Sequence, residues 1–482
     1  MKKIMLVVSL IALVSAISFI EPTNVLTIDD VKEELEVNEI PKFYFEGEIL
    51  DLKTKKEIRD IKVKYITYDK QIDIYAKIKL QGTSSLRYEK KNYTITFYED
   101  DSYENKKDID FNFGWGSQNK YCLKANWVDK THARNIVTAN IAADVQNKYK
   151  VLEMTPHNGT IDGEPVEIYL NNEFLGLYTL NIPKEEWLFN MDSDNPNHIV
   201  LSAANCCGGT NFIRKPTLED WEVEVGEEND YTLEKLVRLS DFVRNSTDEE
   251  FKNNFSDYFN FDSMLNYYVL VEIAQLRDNI CKNMLLATYD GNIWYTSLYD
   301  LDTSWGTHWD GKELEDYTAR TTNGGSILFE RFEKAFPNEI ADRYFELRST
   351  LLSKDNIIKE FDTFARKIPN QSLERENSKW KDLPGYNYEQ IHEFLDVRLP
   401  LTDKIFTDFY TYDSNVSVVY NRDDNGYITA KLVNVRKDII LLNGDSYTFK
   451  ENSKHLFYFI NFAGEKDFIE IEVNCFNKKI KE

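Results

Sequence analysis

The turn Tyr289-Asp290-Gly291-Asn292 leaves its neighbourhood little conformational freedom. It stands between Met284-Leu285-Leu286-Ala287-Thr288 and Ile293-Trp294-Tyr295-Thr296-Ser297-Leu298. Asp-Gly between two apolar, aromatic-rich runs folds the chain back on itself as an antiparallel hairpin. Polar residues stand at both open ends: Asp278 and Asn283 before the first strand, Asp300 and Asp302 after the second. Pairing the strands brings these ends together. The sequence therefore predicts three carboxylates and one amide within a few ångströms of each other at one edge of a sheet.

Carboxylates crowded in this way repel, and they stay ionised together only around a cation. The donors are all oxygens, which suits Mg²⁺ or Mn²⁺ and not zinc. Asp-x-x-x-x-Asn, a short hairpin, then Asp is also the order used by protein-kinase sites. There one Asp accepts the proton of the acceptor hydroxyl, and the Asn and the later Asp hold the metal ions on the ATP phosphates. The structural alternative is that Asp278 caps a turn while Asp300 and Asp302 sit on a solvated strand end. The further pattern Asp300-Leu301-Asp302-x-x-Trp305-Gly306 favours the functional reading.

The 482 residues imply two to three domains with a sizeable core. With 58 Lys+Arg against 82 Asp+Glu, the net charge of −24 argues against nucleic acid and against an anionic membrane surface. A phosphate ligand stays compatible, because metal ions and a few local cations can hold one. Met1-Lys2-Lys3, the apolar stretch from Ile4 to Ile20, and Val14-Ser15-Ala16 read as a signal peptide over residues 1–20, with an uncleaved anchor as the alternative. Export follows from either. The cysteines (Cys122, Cys206, Cys207, Cys281, Cys475) show no Cys-x-x-Cys pattern and the six histidines no His-x-x-x-His pair, so no zinc site is expected.

A short helix is expected at residues 31–37. Strands follow at 43–45, 61–68 and 72–80 by alternation of apolar residues. The last runs into Gln81-Gly82-Thr83-Ser84-Ser85, and then Lys90-Lys91. A small hydroxyl-rich turn followed by lysines can cradle phosphates, or can be an ordinary β-turn with two solvated lysines. Residues 120–127 read as a strand. A helix runs from Asp129 to about Tyr149 with Asp129 or Thr131 as N-cap, and its Arg134 either faces the site or pairs with Asp129. A second hairpin spans 166–180 and turns at Asn171-Asn172, and Asn181 to Glu186 leaves it as a connector. Cys206 to Thr210 is a turn, and 221–225 a strand. Helices are expected at 231–244, 248–255, 262–276, 327–336, 339–352, 354–368 and 388–410, the last interrupted at Pro400. Alternation returns near Asn415, so residues 412–482 read as a separate small β-domain of sandwich type.

Several separated blocks give the chain a resemblance to the CotH family, spore-coat protein kinases of atypical kinase fold. They are Gly82-Thr83-Ser84-Ser85 with Lys90-Lys91-x-Tyr93; Leu123-x-Ala125-Asn126-Trp127-x-Asp129 with Arg134-Asn135; Val166 to Tyr178; Asp278-x4-Asn283; and Asp300-x-Asp302-x-x-Trp305-Gly306. The resemblance spans about residues 43–399. It implies an α+β, two-lobed kinase-like fold over 40–410, with a β-rich N-terminal lobe and a helical C-terminal lobe. It implies transfer of the ATP γ-phosphate, with Mg²⁺ or Mn²⁺, to Ser or Thr of a coat or secreted protein. Asp278 would be the base-like residue, Asp300 the metal ligand, Asn283 the second ligand, and Asp302 would stand where Glu is frequent. Gly82, Thr83, Ser84 and Ser85 would lie over the phosphates with Lys90 or Lys91 touching them, and Arg134 would join them if it faces the site. The connector through Thr179 and Asn181 would be the adenine hinge, where Ile182 replaces a usual acidic residue. The protein would work outside the cell, at its surface or in a spore coat. Two rival classes are an inactive coat or surface scaffold and a surface adhesin or glycan-binding protein built on the C-terminal β-domain.

Overall fold

Alternating apolar residues drive the first part of the chain into strands whose inner faces close on one another. The computed structural model describes residues 40–152, 155–205, 208–381, 383, 388–410 and 417–476. In it, β1 (Lys42–Glu46), β2 (Ile58–Ile66), β3 (Gln71–Gln81), β4 (Asn92–Tyr98), β5 (Lys120–Lys124), β6 (Gly163–Leu170) and β7 (Glu173–Asn181) form a closed barrel in the order β1-β2-β3-β4-β5-β7-β6. A parallel pairing of β1 with β6 completes the closure. Phe43, Phe45, Val63, Tyr65, Ile78, Tyr93, Ile95, Phe97 and Leu123 fill the interior. The β6–β7 hairpin turns where expected: Asn171 and Asn172 have φ of +49° and +67°, which asparagine tolerates and the twist of a two-residue hairpin requires.

Helix α1 (Arg134–Lys148) follows β5. It starts later than expected, with Ala133 and not Asp129 or Thr131 at the N-cap position; the two polar residues instead order the turn before it, Asp129 Oδ2 accepting the Arg134 N–H at 2.8 Å and Thr131 Oγ1 the Ala133 N–H at 3.2 Å. After β7 the chain leaves the barrel through Ile182–Glu185 and the short helix α2 (Glu186–Phe189). It then builds a four-stranded sheet in the order β11-β10-β8-β9 from β8 (Ile199–Ala203), β9 (Trp221–Val225), β10 (Met284–Thr288) and β11 (Tyr295–Leu298). The helices of this part are α3 (Asp230–Asn245), α4 (Asp248–Asn254), α5 (Phe261–Ile273), α6 (Ile327–Ala335), α7 (Pro337–Arg348), α8 (Lys354–Ala365), α9 (Asn370–Lys379), which packs on β7 of the barrel, and α10 (Tyr388–Asp408). The architecture is mixed α+β, as expected. The barrel core and this helical part share one hydrophobic cluster.

Two helices differ from the sequence reading. Pro400 does not interrupt α10. The missing N–H is outweighed by packing: Arg398 and Thr402, on either side of it, are fully buried. Helix α9 was not anticipated, because its sequence Asn-Gln-Ser-Leu-Glu-Arg-Glu-Asn-Ser-Lys has no apolar stripe. It is held instead by a buried ion pair. Glu376 Oε1 lies 2.6 Å from Lys90 Nζ, both side chains being at most 1 % exposed, and Glu376 Oε2 accepts the Leu177 N–H at 2.7 Å.

The C-terminal part holds two three-stranded sheets, β12 (Ser417–Arg422), β13 (Ile428–Val433) and β15 (Ser446–Phe449) in one, and β14 (Ile439–Leu441), β16 (Ser453–Asn461) and β17 (Lys466–Val473) in the other. They enclose their own small core of Ile428, Leu432, Phe449, Phe457, Ile471 and Val473. The expected leader at 1–20, the helix at 31–37, Cys206-Cys207 and the start of the last domain at 412 lie outside the described residues. Among the described residues no helix is long and apolar enough to cross a membrane.

Removing one member of a buried ion pair strands the other. Glu376→Gln is expected to lower stability by about 3–5 kcal/mol, read as a fall in urea midpoint, while Glu374→Gln on the exposed side of α9 leaves the midpoint unchanged. A second expectation concerns His132, 2 % exposed between β5 and α1. Burial holds its pKa well below the usual value. The folded state keeps it neutral while the unfolded chain takes up a proton below about pH 6.5. Its contribution is therefore complete above that pH and is lost on acidification, by up to about 1.4 kcal/mol per pH unit. The midpoint should fall less steeply from pH 7 to pH 5 in His132→Asn, a residue that accepts the φ of +56° found here.

Candidate functional site

The β10–β11 hairpin forms in the expected place, with Met284 opposite Leu298. Helix α5 delivers Arg277 and a 3₁₀ turn, Asp278–Ile280. Asn279 Nδ2 donates to the Tyr299 carbonyl at 3.0 Å, which ties the two open ends together. Asn283 and Asp300 adopt left-handed backbone, φ +59° and +56°. Asn and Asp tolerate this region better than most residues, so the types required for chemistry also suit the geometry.

The ends meet, yet the acids do not form a tight cage. Among the described residues no group of three or more His, Cys, Asp or Glu side chains is close enough to hold a metal ion. A cation stands among them instead. Lys124, the last residue of β5, puts Nζ 3.1 Å from Asp300 Oδ1. Lys124 therefore joins the barrel to the hairpin sheet. The sequence reading passed over it; the outward-facing alternation Lys120, Cys122, Lys124 was the signal that could have shown it.

Burial works to raise the pKa of Asp300, but Lys124, by charge and hydrogen bond, and then Lys184 and Lys282 hold it below the usual value. Its side chain keeps 38 % exposure, so it stays open to a ligand. Asp302 is pushed up to about 8, first by burial and then by the charge of Asp300. Asp278 is raised by burial and by Asp300, with Lys282 and His308 opposing. A divalent cation between Asp300 and Asp302 would offset both the burial and the mutual repulsion that raise Asp302. Asp300, Asp302 and Asn283 are the oxygen donors that could hold it. Mg²⁺ commonly takes one or two protein carboxylates and completes its shell with phosphate and water, so this donor set fits without a third acid.

Helix α1 fixes the loop that carries these acids. Asn135 Oδ1 accepts the Leu301 N–H at 2.9 Å, between Asp300 and Asp302. Thr138 Oγ1 receives the Trp305 indole N–H at 2.8 Å. Gly306 has φ +87°, and a Cβ there would come within 2.4 Å of Gln390 Nε2 and 2.7 Å of the Phe394 ring, so only glycine lets α10 approach. Gln390 in turn donates to the Trp305 carbonyl at 3.1 Å and accepts from Arg134 at 2.7 Å. Arg134 is fully buried and ion-paired with Asp129. Of its two expected roles, the structure has it pairing with Asp129 and bracing the loop, away from any position over a phosphate.

The turn after β3 approaches the acids from the barrel side. Gly82 has φ +97°, and a Cβ would fall 2.0 Å from Ser85 Oγ. Thr83 and Ser84 are exposed, and Ser84–Arg87 forms a 3₁₀ turn. Tyr88 lies near enough to Asp302 to sense its charge, and Arg87 covers the Trp309 ring at 5.1 Å. The two lysines beyond the turn are not available as expected. Lys90 is sealed inside against Glu376, and Lys91 donates to the carbonyls of Leu86 and Tyr88 in its own turn.

Thr179 and Asn181 on β7 stand opposite Lys124 and Cys122 of β5. Thr179 Oγ1 accepts from Asn126 Nδ2 at 2.5 Å, and both polar atoms of the Asn181 side chain are buried with no partner among the described residues. The connector contributes a residue absent from the sequence reading, Lys184. Its ammonium binds Glu224 at 2.6 Å and Ser202 Oγ at 2.9 Å, and stands 4.6 Å from the centroid of the Tyr299 ring, over which Lys124 also lies at 5.5 Å.

No curated protein matches the chain. The family model described as CotH kinase protein matches residues 78–400, about two thirds of the 482. That span runs from within β3 into α10 and takes in every residue of the site just described. The chain therefore belongs to the CotH kinase protein family.

Proposed function

We propose that the chain is a two-lobed, metal-dependent protein kinase that transfers the γ-phosphate of ATP to Ser or Thr of an exported or spore-coat protein. The observation that carries this reading is the Lys124–Asp300 ion pair across the junction of the barrel and the hairpin sheet. A strand lysine that meets the nucleotide phosphates and an Asp that holds the metal are separate parts of protein-kinase sites, and this pair brings a lysine and an Asp of those kinds together. Asp278 takes the proton as the acceptor oxygen bonds to the γ-phosphorus and the bond to ADP breaks. Asp300, Asp302 and Asn283 hold Mg²⁺ or Mn²⁺, which when bound neutralises the phosphate oxygens. Lys124 replaces Lys90 and Lys91 as the phosphate-contacting lysine. The turn Gly82–Ser85 covers the phosphates, and the base lies toward Thr179, Asn181 and Lys184. A second reading, a surface-binding role for the C-terminal domain, is favoured by Tyr420 and Tyr458, which are 53 % and 48 % exposed.

The test is transfer of label from γ-labelled ATP, with Mg²⁺ or Mn²⁺, to the chain itself or to a generic acceptor. Asp300→Ala is expected to abolish label while leaving the melting temperature within a few degrees. Asp278→Asn should keep the ATP-dependent rise in melting temperature and lose on the order of 10²–10⁴ in turnover. Lys124→Met should weaken ATP binding and turnover together. Label that persists in Asp300→Ala, or wild-type protein that neither transfers label nor responds to ATP, would leave the scaffold class standing.

A further inference from the structure

The C-terminal domain leaves one sheet face bare. In the sheet of β14, β16 and β17, Ile440 stands opposite Ile460 and Tyr458 opposite Phe468, and the Leu442 N–H donates to the Tyr458 carbonyl at 2.8 Å. Residues opposite one another on antiparallel strands share a face, and every second residue returns to it. One face therefore carries Phe457, Ile471 and Val473 into the small core. The other carries Ile440, Leu442, Tyr458, Ile460 and Phe468 side by side, with the Tyr458 and Phe468 ring centroids 6.2 Å apart. Ile440, Leu442, Tyr458 and Phe468 are between 48 % and 57 % exposed. The domain rests on the helical part elsewhere, through Phe462 against the Phe345 ring at 5.3 Å and Thr407 donating to Asp438 at 3.3 Å. Among the described residues nothing covers the patch.

Four such side chains at half exposure offer on the order of 400 Å² of apolar surface, the size at which a bare patch marks an interaction site. Charge decides what fits it. The chain carries −24 overall, so its surface as a whole repels a second copy. This face is balanced: the register brings Lys454 and Lys466, Glu470 and Glu472 around the apolar centre, two of each sign. We propose that the outer face of this sheet is a two-fold interface at which two copies of the chain pair. With the axis across the strands at the Tyr458–Phe468 row, Ile460 of one copy meets Leu456 of the other and Lys466 meets Glu470. Apolar meets apolar and cation meets acid, the self-complementarity a two-fold contact requires. The patch supplies about half of the ~800 Å² each copy gives to a stable dimer, as its apolar centre, and the charged rim supplies the rest. A cationic partner finds no excess of acid here, and a sugar finds two rings set at 62° to each other instead of a flat platform. The face lies beyond residue 400, outside the family match, so the pairing stands whether or not the chain transfers phosphate.

The experiment is sedimentation equilibrium on the purified chain from residue 21 onward, so that the apolar leader cannot itself drive association. Concentrations run from roughly 1 µM to roughly 100 µM, which reaches the weak end of what interfaces of standard size deliver. Wild type should be a dimer at the upper end, and added salt should tighten it by screening the repulsion between two acidic copies. Tyr458→Glu and Phe468→Glu should each weaken pairing by about tenfold or more, because each sets a charge in the apolar centre. Their melting temperatures at low concentration should stay within a few degrees of wild type. Val419→Glu, at a comparably exposed position on β12 of the other sheet, should pair like wild type. A chain that is monomeric at the highest concentration overturns the proposal, and so does a dimer that survives both glutamate variants. A monomeric wild type whose glutamate variants melt lower would show that the chain's own remaining residues cover the face in place of a second copy.

Discussion

The Lys90–Glu376 ion pair decides where the barrel presents Lys124. Lys90 Nζ donates to Glu376 Oε1 at 2.6 Å, to the Ala125 carbonyl at 2.8 Å and to the Leu177 carbonyl at 2.5 Å. These use all three ammonium protons. The carboxylate answers with its second oxygen on the Leu177 N–H. Taking two charges out of water is costly, and a pair recovers that cost only where each donor and acceptor is satisfied, as here. The groups it joins come from the turn before β4, the residue after β5, β7 and α9. Ala125 follows Lys124 directly, so the pin fixes the backbone from which Lys124 reaches Asp300.

A second buried pair holds the other side of the site. Arg398 of α10 and Glu272 of α5 are both fully buried and 2.6 Å apart. Glu272 also accepts the N–H groups of Thr321 and Thr322, so the segment that returns from the acidic loop is tied to α5. Between the two pins lie residues in left-handed backbone: Asn283, Asp300 and Trp305, with φ near +55° to +59°. For Trp305, a bulky side chain, this conformation is strained. It persists because the Trp305 N–H donates to the Ala274 carbonyl at 2.9 Å and the indole N–H to Thr138. Strain at the acidic loop is thus held by packing on both sides.

Much of this was legible in local sequence. Alternation gave the barrel strands, Asn171-Asn172 and Asp290-Gly291 gave the two hairpins, and the apolar run of α5 gave the helix that leads to Asp278. What stayed hidden depends on distant partners. Lys90, Lys91, Lys120 and Lys124 look alike in sequence, and Lys90 is sealed only because Glu376, 286 residues away, meets it. Helix α9 carries that glutamate and lacks an apolar stripe, so periodicity could not reveal it. Strand β8 is buried at all five positions, so it shows no alternation, and no hairpin turn flanks it to mark it as a strand. Arg134 could be placed beside Asp129, but its bridge through Gln390 to Trp305 needed α10 in position.

The charge arrangement has a consequence for how such a site can be maintained. The protein as a whole is strongly acidic, so a cluster of acids would ordinarily be worsened by its surroundings. Here the acids lie against Lys124, Lys184 and Lys282, and Asp300 is held ionised by them while Asp302 is driven toward neutrality. The resting site is thus nearly balanced without a ligand. A divalent cation with a polyphosphate adds opposite charges together, one to the acids and one to the lysines, and keeps that balance. A cation alone would have to compete with Lys124 for Asp300, and a phosphate alone would have to draw Lys124 away from it. On the proposed function, metal and phosphate would bind better together than either would singly.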